Sequence, residues 1–231
     1  MIELLKNLFF VRTCLGCGTA LPDAEADTVF CGKCYAEYLK FRSERCHRCK
    51  KMECECQCIP GKMKESVLWS VHILPYRENL TKQIIFTLKM KNYTPLQRFI
   101  AKDLAHLIFD RTNGDLSGFA VTFVPRKSKS VCIYGVDQAR VLAELTASYL
   151  YLPVVDLFKH SHSSKDQKTL RGAERMYNAL KSYGLNDKVQ CQTEKLLIFD
   201  DIVTTGSTVD ILIKLAKLHG YREFAIVSLA T

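Results

Sequence analysis

The stretch of sequence that decides the fold is residues 196–208, Leu-Leu-Ile-Phe-Asp-Asp-Ile-Val-Thr-Thr-Gly-Ser-Thr. Its first four residues are apolar, which is typical of a strand buried in a parallel sheet. Two adjacent carboxylates follow, and then a short turn that is rich in hydroxyl groups and contains one glycine. Residues 208–219 are amphipathic with helical spacing, and Gly220 follows them as a stop signal. The stretch therefore predicts a strand, a loop and a helix in direct succession.

The loop between this strand and this helix has the chemistry of a sugar-phosphate site. Ligands of open α/β sheets bind at the carboxyl ends of the strands, and the start of a helix favours phosphate. Two carboxylates would repel a phosphate but suit the paired hydroxyls of a ribose. We predict catalytic residues Asp200 and Asp201, and a phosphate-binding set Thr204, Thr205, Gly206, Ser207 and Thr208. No lysine follows the glycine, which argues against a nucleoside triphosphatase loop. The alternative is a strand-to-helix connection that binds no ligand. It would leave two carboxylates at a buried edge without a partner, which is unfavourable in free energy.

The rest of residues 61–231, called the body below, alternates between short apolar runs and longer amphipathic segments. Strands are expected at residues 70–75, 119–125, 195–200 and 223–229, and helices at residues 80–91, 96–110, 136–150 and 208–219. Short buried strands separated by helices of this length predict a parallel sheet with helices on both faces. The fold class is therefore α/β.

Cysteine is concentrated near the N-terminus, where nine of the eleven cysteines lie between Cys14 and Cys58. In a reducing compartment such a cluster indicates metal binding more than disulfides. Two CxxC pairs match the spacing of a zinc ribbon, and the predicted ligands are Cys14, Cys17, Cys31 and Cys34. A second structural zinc site is predicted from Cys46, Cys49, Cys54 and Cys56, with Cys58 competing for one of the last two places. Reduced buried cysteines or a disulfide knot are the alternatives.

Composition limits the class of protein. The chain has 231 residues, of which 48% are hydrophobic and 25% are charged, and its net charge is +9. These values exclude a disordered tail, a collagen-like fibre and a coiled coil. No apolar run approaches the roughly 20 residues that span a bilayer. Residues 4–11 do not form a secretory signal, because Lys6 and Asn7 interrupt them and no small-residue cleavage site follows. We expect a cytoplasmic protein with a Cys-rich domain at residues 1–60 and an α/β domain at residues 61–231; apolar residues 4–10 leave peripheral contact with the inner membrane surface open.

Positive charge is strongest in the connector at residues 61–100, which has seven lysines and arginines against two acidic residues. Four aromatic residues, Trp69, Tyr76, Phe86 and Tyr93, are interleaved with these cations. Cations neutralise a nucleic-acid backbone while aromatic rings stack on its bases, so the pattern suits single-stranded DNA. The alternative is that the aromatic residues belong to the core and the lysines to a solvated face.

The stretch at residues 196–208 resembles the phosphoribosyl-pyrophosphate (PRPP) signature of type I phosphoribosyltransferases. The whole chain resembles the ComF family, competence-associated proteins in which a Cys-rich zinc head is fused to that fold. Further matches are residues 88–91, 124–126, 135–138, 167–171 and 174–178. Asp137 stands where the family usually has asparagine, and residues 54–58 depart from its plain CxxC.

This resemblance implies a role in natural transformation, in which the protein handles incoming single-stranded DNA together with other DNA-uptake proteins. It also implies binding of PRPP with Mg²⁺. Arg126, Lys127 and Lys129 follow a strand at the sheet edge, where they could hold pyrophosphate oxygens. Residues 160–175 could form a lid that brings in Lys168, Arg171 and Arg175, or a surface loop. Two alternatives are a metabolic phosphoribosyltransferase with an unidentified acceptor, and a sensor in which PRPP switches DNA binding without turnover.

Overall fold

The computed structural model describes residues 12–21, 28–42, 51, 58–59, 63, 66–126, 137–160, 182–186, 188–190 and 193–231. In chain order, these residues form α1 (Gly32–Arg42), β1 (Trp69–Leu74), α2 (Asn79–Met90), α3 (Thr94–Thr112), β2 (Phe119–Phe123), α4 (Gln138–Leu150), β3 (Phe158–His160), β4 (Tyr183–Leu185), β5 (Lys195–Ile202), α5 (Ser207–Leu218) and β6 (Glu223–Ala230).

The central sheet has four parallel strands in the order β1-β6-β5-β2. Leu197 of β5 lies opposite Val121 on one side and Ala225 on the other. A parallel arrangement of this kind confirms the predicted α/β class. The order also places β5, which carries the two aspartates, in the interior of the sheet, with its carboxyl end between those of β2 and β6.

Strand β5 continues two residues beyond its predicted end at Asp200. The pairing of β5 with β6 carries on to Ile202, which lies opposite Ala230. Both carboxylates are therefore carried by the strand itself instead of by a free loop. This gives them a backbone fixed by the sheet, which a pattern within the segment alone does not predict.

Both faces of the sheet are buried. Leu197 and Phe199 belong to a cluster that also contains residues of α2, α3 and α4, whereas Leu196 and Ile198 belong to a second cluster with α5. Successive side chains of a strand point to opposite faces, so the apolar run of β5 serves both clusters at once. Helices on both faces are thus confirmed.

The Cys-rich segment packs on the body through α1. Cys34 and Tyr38 share a buried cluster with Ile100 of α3. The Tyr38 hydroxyl donates to Asp103 Oδ2 at 2.6 Å, and Arg42 Nε donates to Asp103 Oδ1 at 2.8 Å. Most of residues 43–65 lie outside the described residues, so the boundary between residues 60 and 61 stays a prediction. Among the described residues, no helix has the length and apolar character needed to cross a membrane.

Candidate functional site

A cavity of about 300 Å³ lies at the carboxyl edge of the sheet. It is formed where β2, β5 and the starts of α4 and α5 converge, and the short antiparallel pair β3–β4 adds to its wall. Its lining residues are Val124, Pro125, Arg126, Asp137, Gln138, Ala139, His160, Tyr183, Asp200, Asp201, Ile202 and Thr208. Four residues predicted for one site therefore line one cavity: Asp200, Asp201, Arg126 and Thr208.

The side chains of Asp200 and Asp201 lie in different environments. Asp200 Oδ1 accepts a hydrogen bond from the backbone N–H of Asp201 at 2.8 Å, and Asp201 Oδ1 accepts one from Ile202 at 2.8 Å. Lys89 of α2 forms an ion pair with Asp201, with 2.5 Å between Nζ and Oδ2. Burial, followed by the charge of Asp201, raises the pKa of Asp200 to about 8, against the opposing effects of a backbone hydrogen bond and Lys89.

This difference gives the pair complementary hydrogen-bonding capacities near neutral pH. A protonated Asp200 can donate one hydrogen bond, while the Asp201 carboxylate that pairs with Lys89 accepts. Sugar hydroxyls both donate and accept, so two neighbouring hydroxyls suit a pair of this kind. The geometry is therefore compatible with a diol, and it makes the side of the cavity formed by the two aspartates a poor place for a phosphate.

The turn before α5 depends on Gly206. Gly206 is the N-cap of α5 and has φ +71°, a conformation that L-residues rarely adopt. A Cβ at this position would lie 2.6 Å from Cε of Met63. The Thr205 and Ser207 hydroxyls are 3.0 Å apart, and Thr204 and Thr205 are exposed. The first N–H groups of α5 have no partner within the helix and point towards its open start, as an anion site requires.

Asp137 fastens the opposite side of the cavity. Its Oδ2 accepts from the backbone N–H of Arg126 at 3.0 Å, and its Oδ1 accepts from the N–H of Arg140 as the N-cap of α4, at 3.3 Å. Arg126 Nη1 also donates to Gln138 Oε1. The carboxylate thus uses both oxygens to join the end of β2 to the start of α4, which orients Arg126 at the cavity.

The structure adds residues at the site that were not among the predicted catalytic and binding residues, among them Lys89, which pairs with Asp201, and the cavity residues His160 and Tyr183. Lys89 belongs to the basic motif at residues 88–91, which signalled its importance but not its partner. His160 and Tyr183 come together through β3 and β4, with 4.8 Å between their ring centroids. Burial and then the charge of Asp200 raise the pKa of Tyr183. His160 is the first residue of the predicted lid segment at residues 160–175, but its place in β3 was not predicted, and no local pattern indicated Tyr183.

Four cysteines form the second candidate site, a metal centre. The Sγ atoms of Cys14, Cys17, Cys31 and Cys34 all lie within 4.8 Å of one another. The Sγ atoms of Cys17 and Cys31 are 3.6 Å apart. This is close to the sulfur–sulfur distance of about 3.8 Å that tetrahedral zinc with Zn–S bonds of about 2.3 Å requires. Gly16 allows this approach, since a Cβ there would lie 2.7 Å from Cys34 Sγ.

The thiols of this cluster differ in acidity. The side-chain hydrogen bond from Thr19, with smaller contributions from the Thr19 backbone and from neighbouring cysteines, lowers the pKa of Cys17 to about 6. Burial, followed by hydrogen bonds with the neighbouring cysteines, raises the pKa of Cys34 far above its ordinary value. A bound cation would favour the thiolate form throughout. The donor set and spacing are compatible with zinc, as predicted.

Several predicted residues lie outside the described residues. They are Lys127 and Lys129 of the pyrophosphate loop, Lys168, Arg171 and Arg175 of the lid, and Cys46, Cys49, Cys54 and Cys56 of the second zinc site. Cys58 is described, and its carbonyl oxygen accepts a hydrogen bond from the Ser70 hydroxyl at 3.5 Å. The second zinc site therefore remains a prediction.

Comparison with curated proteins finds similarity over most of the chain. No family model matches the chain. A curated protein named Competence protein F, from Haemophilus influenzae (strain ATCC 51907 / DSM 11121 / KW20 / Rd), is 26% identical over 208 residues, which cover 87% of this chain and 84% of that protein. The similarity thus spans both the Cys-rich segment and the α/β body. The chain is a relative of Competence protein F over most of its length, and the predicted resemblance to the ComF family is confirmed.

Proposed function

We propose that this chain is a DNA-uptake protein that binds PRPP and single-stranded DNA. The relationship to Competence protein F supports a competence-related function. The observation that carries the PRPP assignment is the joining of Asp200 and Asp201 with the glycine-capped start of α5 at one edge of the sheet. A ribose 5-phosphate needs a diol site and an anion site within one short loop, and this loop offers both.

In this proposal each part of the ligand contacts a different part of the site, which consists of the cavity and the turn before α5. The 5-phosphate lies at residues 204–208, the ribose hydroxyls contact Asp200 and Asp201, and the pyrophosphate meets Arg126, with Lys127 and Lys129 as further ligands. Mg²⁺, bound together with the pyrophosphate, supplies neutralising charge. The guanidinium of Arg126 is suited to phosphate because its N–H groups form a planar fork.

The Cys-rich head would be structural. Four thiolates fill a tetrahedral zinc ion completely, which leaves no position for substrate. Because Cys14 and Cys34 share a buried cluster with the body, loss of the metal would loosen packing beyond the head itself. The proposed second site, at Cys46, Cys49, Cys54 and Cys56, would act in the same way.

The DNA half of the proposal is supported by the connector and by its exposed rings. Trp69 packs on Phe119 with 6.1 Å between ring centroids, and Tyr93 is half-buried, so these two rings belong to the core. Tyr76 and Phe86 remain exposed beside lysines. Single-stranded DNA bound in this way loses affinity steeply as salt is added, because each phosphate that the protein neutralises releases counterions.

Calorimetry with Mg²⁺ and PRPP tests the pocket. The zinc-loaded wild type should bind PRPP, and Asp200→Ala/Asp201→Ala should not. Asp110→Ala is a matched control, because Asp110 is an exposed aspartate on the last turns of α3 and does not line the cavity. Equal binding by the wild type and the double variant, or no binding by either, would remove the basis of the proposal.

Pyrophosphate release then separates the ways of using this pocket. Steady release with an added acceptor would identify a metabolic phosphoribosyltransferase, for which the cavity's acid pair and His160 offer groups that can exchange protons. Tight binding without release would identify a sensor of PRPP. The fold alone does not choose between the two, because one fold hosts many functions.

A further inference from the structure

A second cavity, of about 300 Å³, adjoins the first. One wall is the outer face of α2, and Tyr76 contributes another part of the lining. Arg126 and Ile202 line both cavities, so the two are neighbours at the same edge of the sheet. This second cavity is not needed for a ribose 5-phosphate, which the first can hold.

The α2 residues of this cavity form one stripe. They occupy positions 82, 85, 86, 89 and 90, which is the spacing of side chains on a single helical face. Ile84 and Leu88, which belong to the neighbouring face, are buried in the core. Helix α2 therefore packs through one face and presents the adjacent face to the cavity, with the buried Ile85 at the boundary between the two.

That presented face is unusually apolar for an exposed surface. Phe86 is 59% exposed, Met90 47% and Tyr76 44%. Large apolar side chains that cluster in a concavity mark binding sites, whereas single scattered ones do not. The three form one group because they line one cavity.

The charges around these rings are positive. Lys82, Lys89 and Arg126 line the cavity, and no acidic side chain is among its lining residues in the described part of the chain. Lys89 is partly neutralised by its ion pair with Asp201, but Lys82 is exposed on the stripe. Aromatic rings beside cations suit a ligand that combines flat rings with a phosphate backbone.

We propose that this cavity, formed by Tyr76, Phe86 and Met90 with Lys82 at its rim, binds one unpaired base of single-stranded DNA by stacking. The adjoining phosphodiester would meet Lys82. The inference rests on the DNA half of the proposed function and adds its location. A concave pocket between rings fits a planar base better than it fits an acidic membrane surface, which would require a convex apolar face.

Fluorescence polarisation of a labelled oligothymidylate of roughly fifteen nucleotides tests the site at low salt. Phe86→Ala should weaken binding by about 5- to 150-fold, the range measured for loss of one base-stacking ring. Phe86→Tyr should bind about as well as the wild type, because it retains a ring. Phe109→Ala is the matched control: Phe109 is 55% exposed on α3 and lines neither cavity.

The outcomes separate this inference from the proposed function. Unchanged oligonucleotide affinity in Phe86→Ala would overturn the site while DNA binding itself stands. No binding by the wild type would overturn both the site and the DNA half, and PRPP calorimetry would report on the other half independently. Should Phe86→Ala fail to fold, Phe86→Leu keeps the apolar volume and removes only the ring, with the same expected direction. Binding of phosphatidylglycerol vesicles that depends on Phe86, with oligonucleotide binding unaffected, would assign the cavity to a membrane and overturn the proposal.

Discussion

Replacing Asp200 with asparagine should stabilise the folded protein at alkaline pH, although Asp200 lies at the centre of the proposed pocket. In the folded protein the pKa of Asp200 is about 8, against an ordinary value of 3.8. Between these two values the folded state keeps a proton that the unfolded chain has lost. The stabilisation that the Asp200 carboxyl contributes is therefore fully present below its pKa in the unfolded chain. It is lost as the pH rises through its pKa in the folded protein.

The size of this effect follows from the same difference. About four pKa units correspond to about 5 kcal/mol. Part of that range lies below pH 5, and the carboxyl is only half-buried at an open cavity. We therefore expect the free energy of unfolding of the wild type to fall by about 2–4 kcal/mol, relative to that of Asp200→Asn, between about pH 5 and pH 9. The asparagine side chain is neutral throughout, so the variant lacks this pH dependence.

Urea unfolding of the wild type and Asp200→Asn across this range measures the difference directly. Zinc-linked pH effects cancel, because both proteins carry the same cysteines. Asp115→Asn is the control: hydrogen bonds from Ser117 lower the pKa of Asp115, so this group stays ionised over the whole range in both states. If the difference in unfolding free energy between the wild type and Asp200→Asn is the same at every pH, the prediction is wrong and Asp200 is ionised in the folded protein at neutral pH.

Three further predictions concern the turn, the metal and the two cavities. Gly206→Ala should lower the free energy of unfolding by about 1–2 kcal/mol in urea titrations and weaken PRPP binding, because its φ of +71° is strained for alanine and its Cβ would displace Met63. Gly32→Ala, whose Cβ would have no neighbour within 4 Å, is its control, and equal losses from the two would contradict the argument. Removing metal with a chelator should lower the melting temperature and expose the cysteines to thiol reagents, since the four thiols share the core with the body; an unchanged melting curve would show that the cluster holds no structural ion. Mg²⁺–PRPP and the oligonucleotide should each weaken the binding of the other by the same factor in paired titrations, because Arg126 lines both cavities and would contact both anions. Independent binding of the two ligands would show that the cavities are not coupled.

Sequence alone predicted the fold because its signals are local. The apolar run of β5 and the helical spacing of α2, α3, α4 and α5 each lie within one segment. The parallel-sheet rule then brought Asp200, Arg126 and Thr208 to one edge without any knowledge of contacts. The pattern missed the extension of β5 to Ile202, which depends on its pairing with β6, and it missed the short antiparallel pair β3–β4.

The remaining features of the site depend on contacts between distant segments. The ion pair of Lys89 with Asp201 joins α2 to β5, and the contact of His160 with Tyr183 joins β3 to β4. The raised pKa of Asp200 depends on burial, which no adjacent residue reveals. The sequence could also not tell exposed rings from core rings in the connector, because Trp69 and Phe86 occur in equally mixed surroundings.

A crystal structure of the zinc-loaded protein with Mg²⁺ and PRPP would show whether the loop at residues 200–208 binds a ribose 5-phosphate. We expect the 5-phosphate at the start of α5, within hydrogen-bond distance of the backbone N–H groups after Gly206, and the ribose hydroxyls on Asp200 and Asp201. PRPP bound elsewhere, or bound with its pyrophosphate at the start of α5 and its ribose away from the aspartates, would contradict this expectation.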